Sequence, residues 1–346
     1  MTDIPETMKA MVLTGQGDYD KLQYKDVPVP EIGKGEVLIK VLAAGVNNTE
    51  INVRLAWYAQ DEDSEEENQQ LAEGVWEGGG VYFPRIQGAD ACGEIVAVGE
   101  GVDESRIGDR VIVEPLFRNP VKYFGAECDG AFAEYTVAPT ENAHKIESDL
   151  SSVELASFPC SYSTAENLVS RAGVTAGDVV LVTGASGGVG SAAVQLAARR
   201  GAEVIGVVRD DKADKVKAIG ASRTVDRDAD LVETLGINSV DVVIDLVGGE
   251  EWPHLLTVMR SRGRYATSGA IAGPVVTLDL RTMYFKDLSL FGCTAFEPEV
   301  FKNLVSYIEK GEIKPVISGT YKLTDIAQAQ EDFLKKKHVG KLVLEL

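Results

Sequence analysis

The stretch of this 346-residue chain best suited to chemistry is a run of glycines. Residues 179–190 read VVLVTGASGGVG, a short β-branched run that breaks into glycine and continues to residue 200 as an Ala-rich segment of helical period. Strand, tight turn and helix start in that order aim several backbone N–H groups and the positive end of a helix dipole at one point. The natural guest of such a point is a pyrophosphate. The turn comprises Ala185, Ser186, Gly187, Gly188, Val189 and Gly190. Gly187 lets the backbone approach the phosphates, and Gly190 lets the helix pack close against the strand. The thiols and imidazoles offer less. Cys92, Cys128, Cys160 and Cys293 stand far apart without a Cys-x-x-Cys pair, which argues for reduced thiols and against a disulfide framework or a structural zinc lobe. His144, His254 and His338 are equally scattered and read as surface or packing residues.

A glycine turn of this kind needs a parallel sheet to hold it, and the pattern around it supplies one. Apolar runs at 203–208, 223–225, 240–247, 263–267 and 288–292 alternate with helical segments at 212–219 and 250–260. That spacing predicts a parallel, doubly wound sheet whose first strand-to-helix turn is the glycine run. Residues 8 to about 150 read differently, as short strands (9–13, 36–43, 94–98, 110–113, 131–137) broken by turns, with no helix of length. They predict an all-β unit built as a small barrel. The closing GKLVLEL is an apolar strand, so the chain returns to complete its first domain. A chain of this length suits two domains.

Composition narrows the classes further. With 45% apolar and 25% charged residues the chain reads as globular, and no apolar run reaches the length of a membrane helix. A net charge of −20 without a basic run opposes nucleic-acid binding. The first ten residues lack the pattern of an export signal, so the expected location is cytoplasmic. Residues 61–67 read DEDSEEE. They form either a solvated surface loop or, because Trp57 and Tyr58 precede them, a lid over a substrate cleft.

The order of these parts and the phrases VPVPEIGKGEVLIKV, GADACGEIVAVGEGV, IGDRV, AGVTAGDVVLVTGASGGVGSAAVQLA and HVGKLVL resemble the medium-chain dehydrogenase/reductase superfamily, on its zinc-free, quinone-oxidoreductase-like side. The resemblance implies an α/β architecture. A GroES-like β-barrel catalytic domain (1–150 and 298–346) carries an inserted Rossmann domain (151–297), with the cofactor in the cleft between them. Short-chain dehydrogenases, whose turn is similar, need a Tyr-x-x-x-Lys pair, and no tyrosine here has lysine four places on.

The resemblance also bears on the chemistry. Where zinc alcohol dehydrogenases have Cys, His and Cys, this chain has Asn47, Ala89 and Cys160, so no zinc is expected. Thr164 matches a position beside the nicotinamide, and Thr49 the proton-relay hydroxyl of zinc members. Either threonine could instead cap a helix. Asn47 could hydrogen-bond a substrate carbonyl. Tyr58 and Tyr82 are candidate proton donors at the edges of the acidic stretch. Cys160 is either a small packing residue or an alkylation-sensitive thiol near the nicotinamide. Val247, Gly248, Gly269, Ala270 and Lys341 should line the cofactor by resemblance.

The second strand of the parallel sheet ends Val207-Val208-Arg209. Val208 stands at or next to the place where an NAD enzyme has its acid, and the Arg209 fork, helped by Lys212, suits a 2′-phosphate. Asp210 and Asp211 weigh toward NADH. The expected function is metal-free hydride transfer from NADPH to an activated C=C or a quinone. Its alternatives are a zinc-free alcohol or carbonyl dehydrogenase and an NADPH-binding regulatory or structural protein. The resemblance further suggests a homodimer joined near residues 288–292.

Overall fold

The computed structural model describes residues 4–58 and 81–346. The DEDSEEE run and the rest of the suggested lid lie outside the described residues. The chain forms two compact units, Met1–Cys160 with Ile317–Lys337 and Lys341–Leu346, and Ser161–Val316 with His338–Gly340. The helix Pro298–Glu309, expected with the first domain, belongs to the second unit. It buries Val300, Phe301, Leu304 and Ile308 along one face, and its Tyr307 ring carries the Arg199 guanidinium 3.5 Å from its centre.

The first unit is built on the strand Glu36–Val46, whose sequence EVLIKVLAAGV leaves only Lys40 exposed. So apolar a strand needs cover on both faces. It pairs antiparallel with Cys92–Val98, with Tyr135–Pro139 and, at its far end, with Lys341–Glu345. The seven-stranded sheet runs outward to Arg110–Val113 and Ala143–Lys145 on one side and to Ile317–Lys322 on the other. A three-stranded sheet joins Leu22–Pro28, Thr7–Leu13 and Arg85–Ile86. The predicted 131–137 strand begins only at Tyr135, because the N–H groups of Ala131 and Phe132 bond to the carbonyls of Gly88 and Gln87 in a loop. The helix Asn48–Arg54, at seven residues, is too short for periodicity to reveal.

The second unit is a six-stranded parallel sheet ordered Arg223–Asp226, Glu203–Val208, Val179–Val182, Val240–Asp245, Met259–Thr267, Ser289–Gly292. Numbered along the chain that order is 3-2-1-4-5-6. Its switch point lies between Val179–Val182 and Val240–Asp245, where sheets of this type bind ligands beyond their carboxyl ends. Among the described residues, no helix is long and apolar enough to cross a membrane.

Candidate active site

In the second unit, the strand Val179–Val182 delivers the chain to Gly184 at φ +58°, and the helix Gly188–Arg199 starts from Gly187 without a side-chain cap. The glycines of this turn differ in what requires them. A Cβ on Gly190 would overlap the Gly184 carbonyl oxygen, so the fold itself forbids a side chain there. A Cβ on Gly187 would lie 3.5 Å from the nearest atom, an ordinary contact at an ordinary φ of −74°. The protein does not need glycine at Gly187; a phosphate approaching the helix start would. The residues present therefore fit a dinucleotide. Ala185 is fully buried, and the Ser186 carbonyl accepts from the Gly340 N–H at 2.8 Å.

Val247, Gly248, Gly269 and Ala270 come together just past the ends of Val240–Asp245 and Met259–Thr267. A Cβ on Gly248 would lie 3.3 Å from that of Ala270, and one on Gly269 would lie 3.3 Å from the Leu246 carbonyl oxygen. What holds this turn is Asp245, which sequence reasoning missed. Its buried carboxylate accepts from Thr183 Oγ1 at 2.5 Å, from Tyr265 Oη at 2.7 Å and from the N–H groups of Val247 and Gly248. The available signal was an acid inside the apolar run VDVVIDLV. Burial, followed by the charge of Asp245, pushes the Tyr265 phenol up.

Arg209 lies half-exposed at the end of Glu203–Val208, with its nearest carboxylate contact 3.4 Å away at Asp211. Lys212 departs from its expected role beside Arg209. It is buried, and its ammonium bonds the His338 carbonyl at 3.0 Å and reaches Ser186 Oγ at 3.5 Å. Burial, helped by the charge of Arg209, holds it below the usual lysine range. Thr164 sits half-buried within the helix Pro159–Arg171, too far from its start to cap it.

The first unit assembles Asn47, Thr49, Tyr58 and Cys160 with three charged residues. Strand Glu36–Val46 ends at Asn47, which caps the helix Asn48–Arg54, so Thr49 is not the cap. Glu50 returns to accept from the Asn47 N–H at 2.6 Å and from the Ala89 N–H at 3.1 Å. The Asn47 amide nitrogen donates to Asp90 Oδ2 at 2.8 Å and to Glu50 Oε1 at 3.2 Å, while its oxygen accepts from Lys341 Nζ. Lys341 pairs with Asp90 Oδ2 at 2.7 Å, and Asp90 Oδ1 accepts from the Cys160 N–H at 2.6 Å.

Lys341 and Asp90 are both buried, 3% and 0% exposed. Burial acts to lower the lysine, but the charge of Asp90, then of Cys160, and the Asp90 hydrogen bond outweigh it and hold the ammonium above its ordinary range. Glu50 is pushed up by burial, against the pull of Lys341.

One expectation is corrected by this arrangement. Both donor hydrogens of Asn47 are committed to carboxylates, so Asn47 holds no free donor for a substrate carbonyl. Lys341 is bonded inside this cluster, a contact that the resemblance did not suggest. Tyr58 hydrogen-bonds Asn52 and Thr49, and burial pushes its phenol up. Tyr82 is half exposed at 50%. The positions that resemble zinc ligands hold an amide oxygen bonded to an ammonium, the methyl of Ala89 and the Cys160 thiol. Such a donor set does not fit zinc.

Comparison with known proteins agrees with the fold. The family described as "Alcohol dehydrogenase GroES-like domain" matches residues 33–148, and the one described as "Zinc-binding dehydrogenase" matches residues 188–310. A crystal structure from Sinorhizobium meliloti 1021, provisionally assigned as an alcohol dehydrogenase, is 47% identical with a TM-score of 0.92, covering 100% of this chain and 98% of that one. The quinone oxidoreductase of Mus musculus is 30% identical over 94% of this chain and 93% of its own. The acryloyl-coenzyme A reductase of Sulfurisphaera tokodaii is 28% identical over 98% of this chain and 100% of its own. The chain belongs to the medium-chain dehydrogenase/reductase superfamily, whose members are oxidoreductases that use a nicotinamide cofactor.

The two glycines give a paired prediction. Gly190→Ala should cost about 1–3 kcal/mol of stability through overpacking. Gly187→Ala should stay within about 1 kcal/mol yet weaken binding of the nicotinamide cofactor about tenfold or more, a loss of ~1.4 kcal/mol. Thermal unfolding and fluorescence titrations with NADPH and NADH measure the two effects; unchanged affinity for both in Gly187→Ala contradicts the cradle.

Proposed function

We propose that the protein reduces an activated C=C bond, as in an α,β-unsaturated carbonyl compound, or a quinone-type acceptor, with NADPH and without a metal. The observation that carries this reading is the cluster at Asn47, Asp90 and Lys341, whose groups already satisfy one another where a zinc-dependent alcohol dehydrogenase needs open ligands. The likeness to an acryloyl-coenzyme A reductase and to a quinone oxidoreductase supports the acceptor class.

The chain's own contribution is positioning and proton delivery. Residues 185–190 hold the pyrophosphate, Val247, Gly248, Gly269 and Ala270 line the cofactor, and Arg209 pairs with the 2′-phosphate. Bound NADPH supplies a hydride. Reduction at the β-carbon leaves an enolate, and the Thr49–Tyr58 hydroxyl pair delivers the proton that quenches it. Thr164, half-buried in the helix Pro159–Arg171, lies beside the nicotinamide.

The likeness to the Sinorhizobium protein favours a second reading, a zinc-free alcohol or carbonyl dehydrogenase. Spectrophotometric oxidation of NADPH by a panel of enones and quinones should be rapid, and reduction of NADP by simple alcohols slow; the reverse favours the second reading. With the best acceptor, kcat/KM for NADPH should exceed that for NADH at least about tenfold, a difference of ~1.4 kcal/mol. Arg209→Glu should abolish that preference, and equal kcat/KM values in the unaltered protein contradict the role of Arg209.

The protein works as a homodimer paired through the edge strand Ser289–Gly292. Supporting this, the strand ends its sheet, and beside it in sequence Val275 is 89% exposed and Phe285 73%, with Ile271, Leu280 and Tyr284 also exposed. So much uncovered apolar surface is unusual on a monomer. Sedimentation should give the mass of two chains, and Val275→Asp with Phe285→Asp the mass of one; a monomeric parent protein contradicts the assignment.

A further inference from the structure

The buried cluster of the first unit has an internal logic that separates cause from consequence. The Asn47 amide can stand in two orientations that exchange its oxygen and nitrogen. As observed, the oxygen meets the Lys341 ammonium and the nitrogen meets two carboxylates, Asp90 and Glu50. Turned over, it would place N–H groups against the ammonium and an oxygen against the carboxylates. The ammonium and the two carboxylates therefore set the amide together, and Lys341 is the one cation among them. The same ammonium neutralises Asp90, whose other oxygen holds the Cys160 N–H at 2.6 Å near the start of Pro159–Arg171.

The backbone is shaped to admit this pair. A Cβ on Gly45 would lie 2.5 Å from Asp90 Oδ2, 2.7 Å from Lys341 Cε and 2.9 Å from the Ala156 carbonyl oxygen. Strand pairing places Leu342 opposite Val46, which brings the preceding Lys341 to the level of Asn47.

We infer that Lys341 is the positioning residue of this site, a built-in cation that orients Asn47 and, through Asp90, the Cys160 backbone, and that it is not a phosphate ligand of the cofactor. The inference rests on the oxidoreductase reading only in taking this cluster as part of the reacting pocket. Lys341 touches no reacting atom in this role and acts through its neighbours.

The test uses the full chain with Lys341→Met, Lys341→Arg and Gly45→Ala, the last altering no charge. With an enone or quinone acceptor and saturating NADPH, Lys341→Met should lower kcat about 10–100-fold, the usual cost of removing a partner behind a site. The NADPH Kd by fluorescence should change less than about threefold (~0.7 kcal/mol). Lys341→Arg should restore most of kcat, and Gly45→Ala should lower kcat as the methionine variant does. If Lys341→Met does not fold, the kcat-against-Kd split in Gly45→Ala carries the test. A tenfold or greater rise in NADPH Kd with kcat unchanged at saturation overturns the inference and makes Lys341 a cofactor ligand.

Failure of the functional reading is separately visible. If no acceptor is turned over, the rate of Cys160 carboxamidomethylation by iodoacetamide, followed by peptide mass, still reports on the cluster. Lys341→Met should change that rate at least about fivefold (~1 kcal/mol), and an unchanged rate overturns the inference.

Discussion

The first unit depends on one register: Leu342 opposite Val46, and so Lys341 beside Asn47. A strand from the far end of the chain is thereby committed to the hub strand Glu36–Val46, and its first side chain is buried against Asp90 and Asn47. Burying an ammonium and a carboxylate is costly unless each remaining donor and acceptor is met. Here Asp90 accepts on both oxygens and Asn47 bridges the two charges. A one-residue slip in that pairing would turn the lysine to the opposite face and leave Asp90 unpaired. The network thus ties the discontinuous fold and the polarity of this buried cluster to the same few bonds.

The second unit solves a different problem, presenting backbone rather than side chains. Gly190 is demanded by close packing of helix on strand, whereas Gly187 is demanded by nothing inside the protein. Asp245 supports the neighbouring turn from below, using one buried carboxylate to hold Thr183, Tyr265 and two backbone N–H groups. Arg209, half-exposed at the end of Glu203–Val208, is the side chain to which the proposal assigns cofactor choice.

Local order was the legible part of the sequence. The change from period two to alternating strand and helix located the parallel sheet, and VVLVTGASGGVG located its first strand-to-helix turn, because strand, turn and helix start are encoded within a dozen residues. The helix Asn48–Arg54 and the pair Leu116–Arg118 and Val121–Tyr123 are too short to register as periodic. Long-range pairing stayed hidden. Nothing in GKLVLEL shows that Lys341 meets residues 47 and 90, so its interior role was missed, as was the commitment of both Asn47 hydrogens. Glu50 carried a faint signal, three places after a capping residue, and Asp90 only that of an acid among small residues in GADACG.

The central claim, metal-free reduction of a C=C bond, is tested most directly by following the hydride itself. An enone would be turned over with NADPH carrying deuterium at C4 of the nicotinamide, each epimer in turn, and the product examined by NMR. The account predicts a saturated carbonyl product with deuterium at the β-carbon from one epimer. Deuterium on the carbonyl carbon of an allylic alcohol would contradict it.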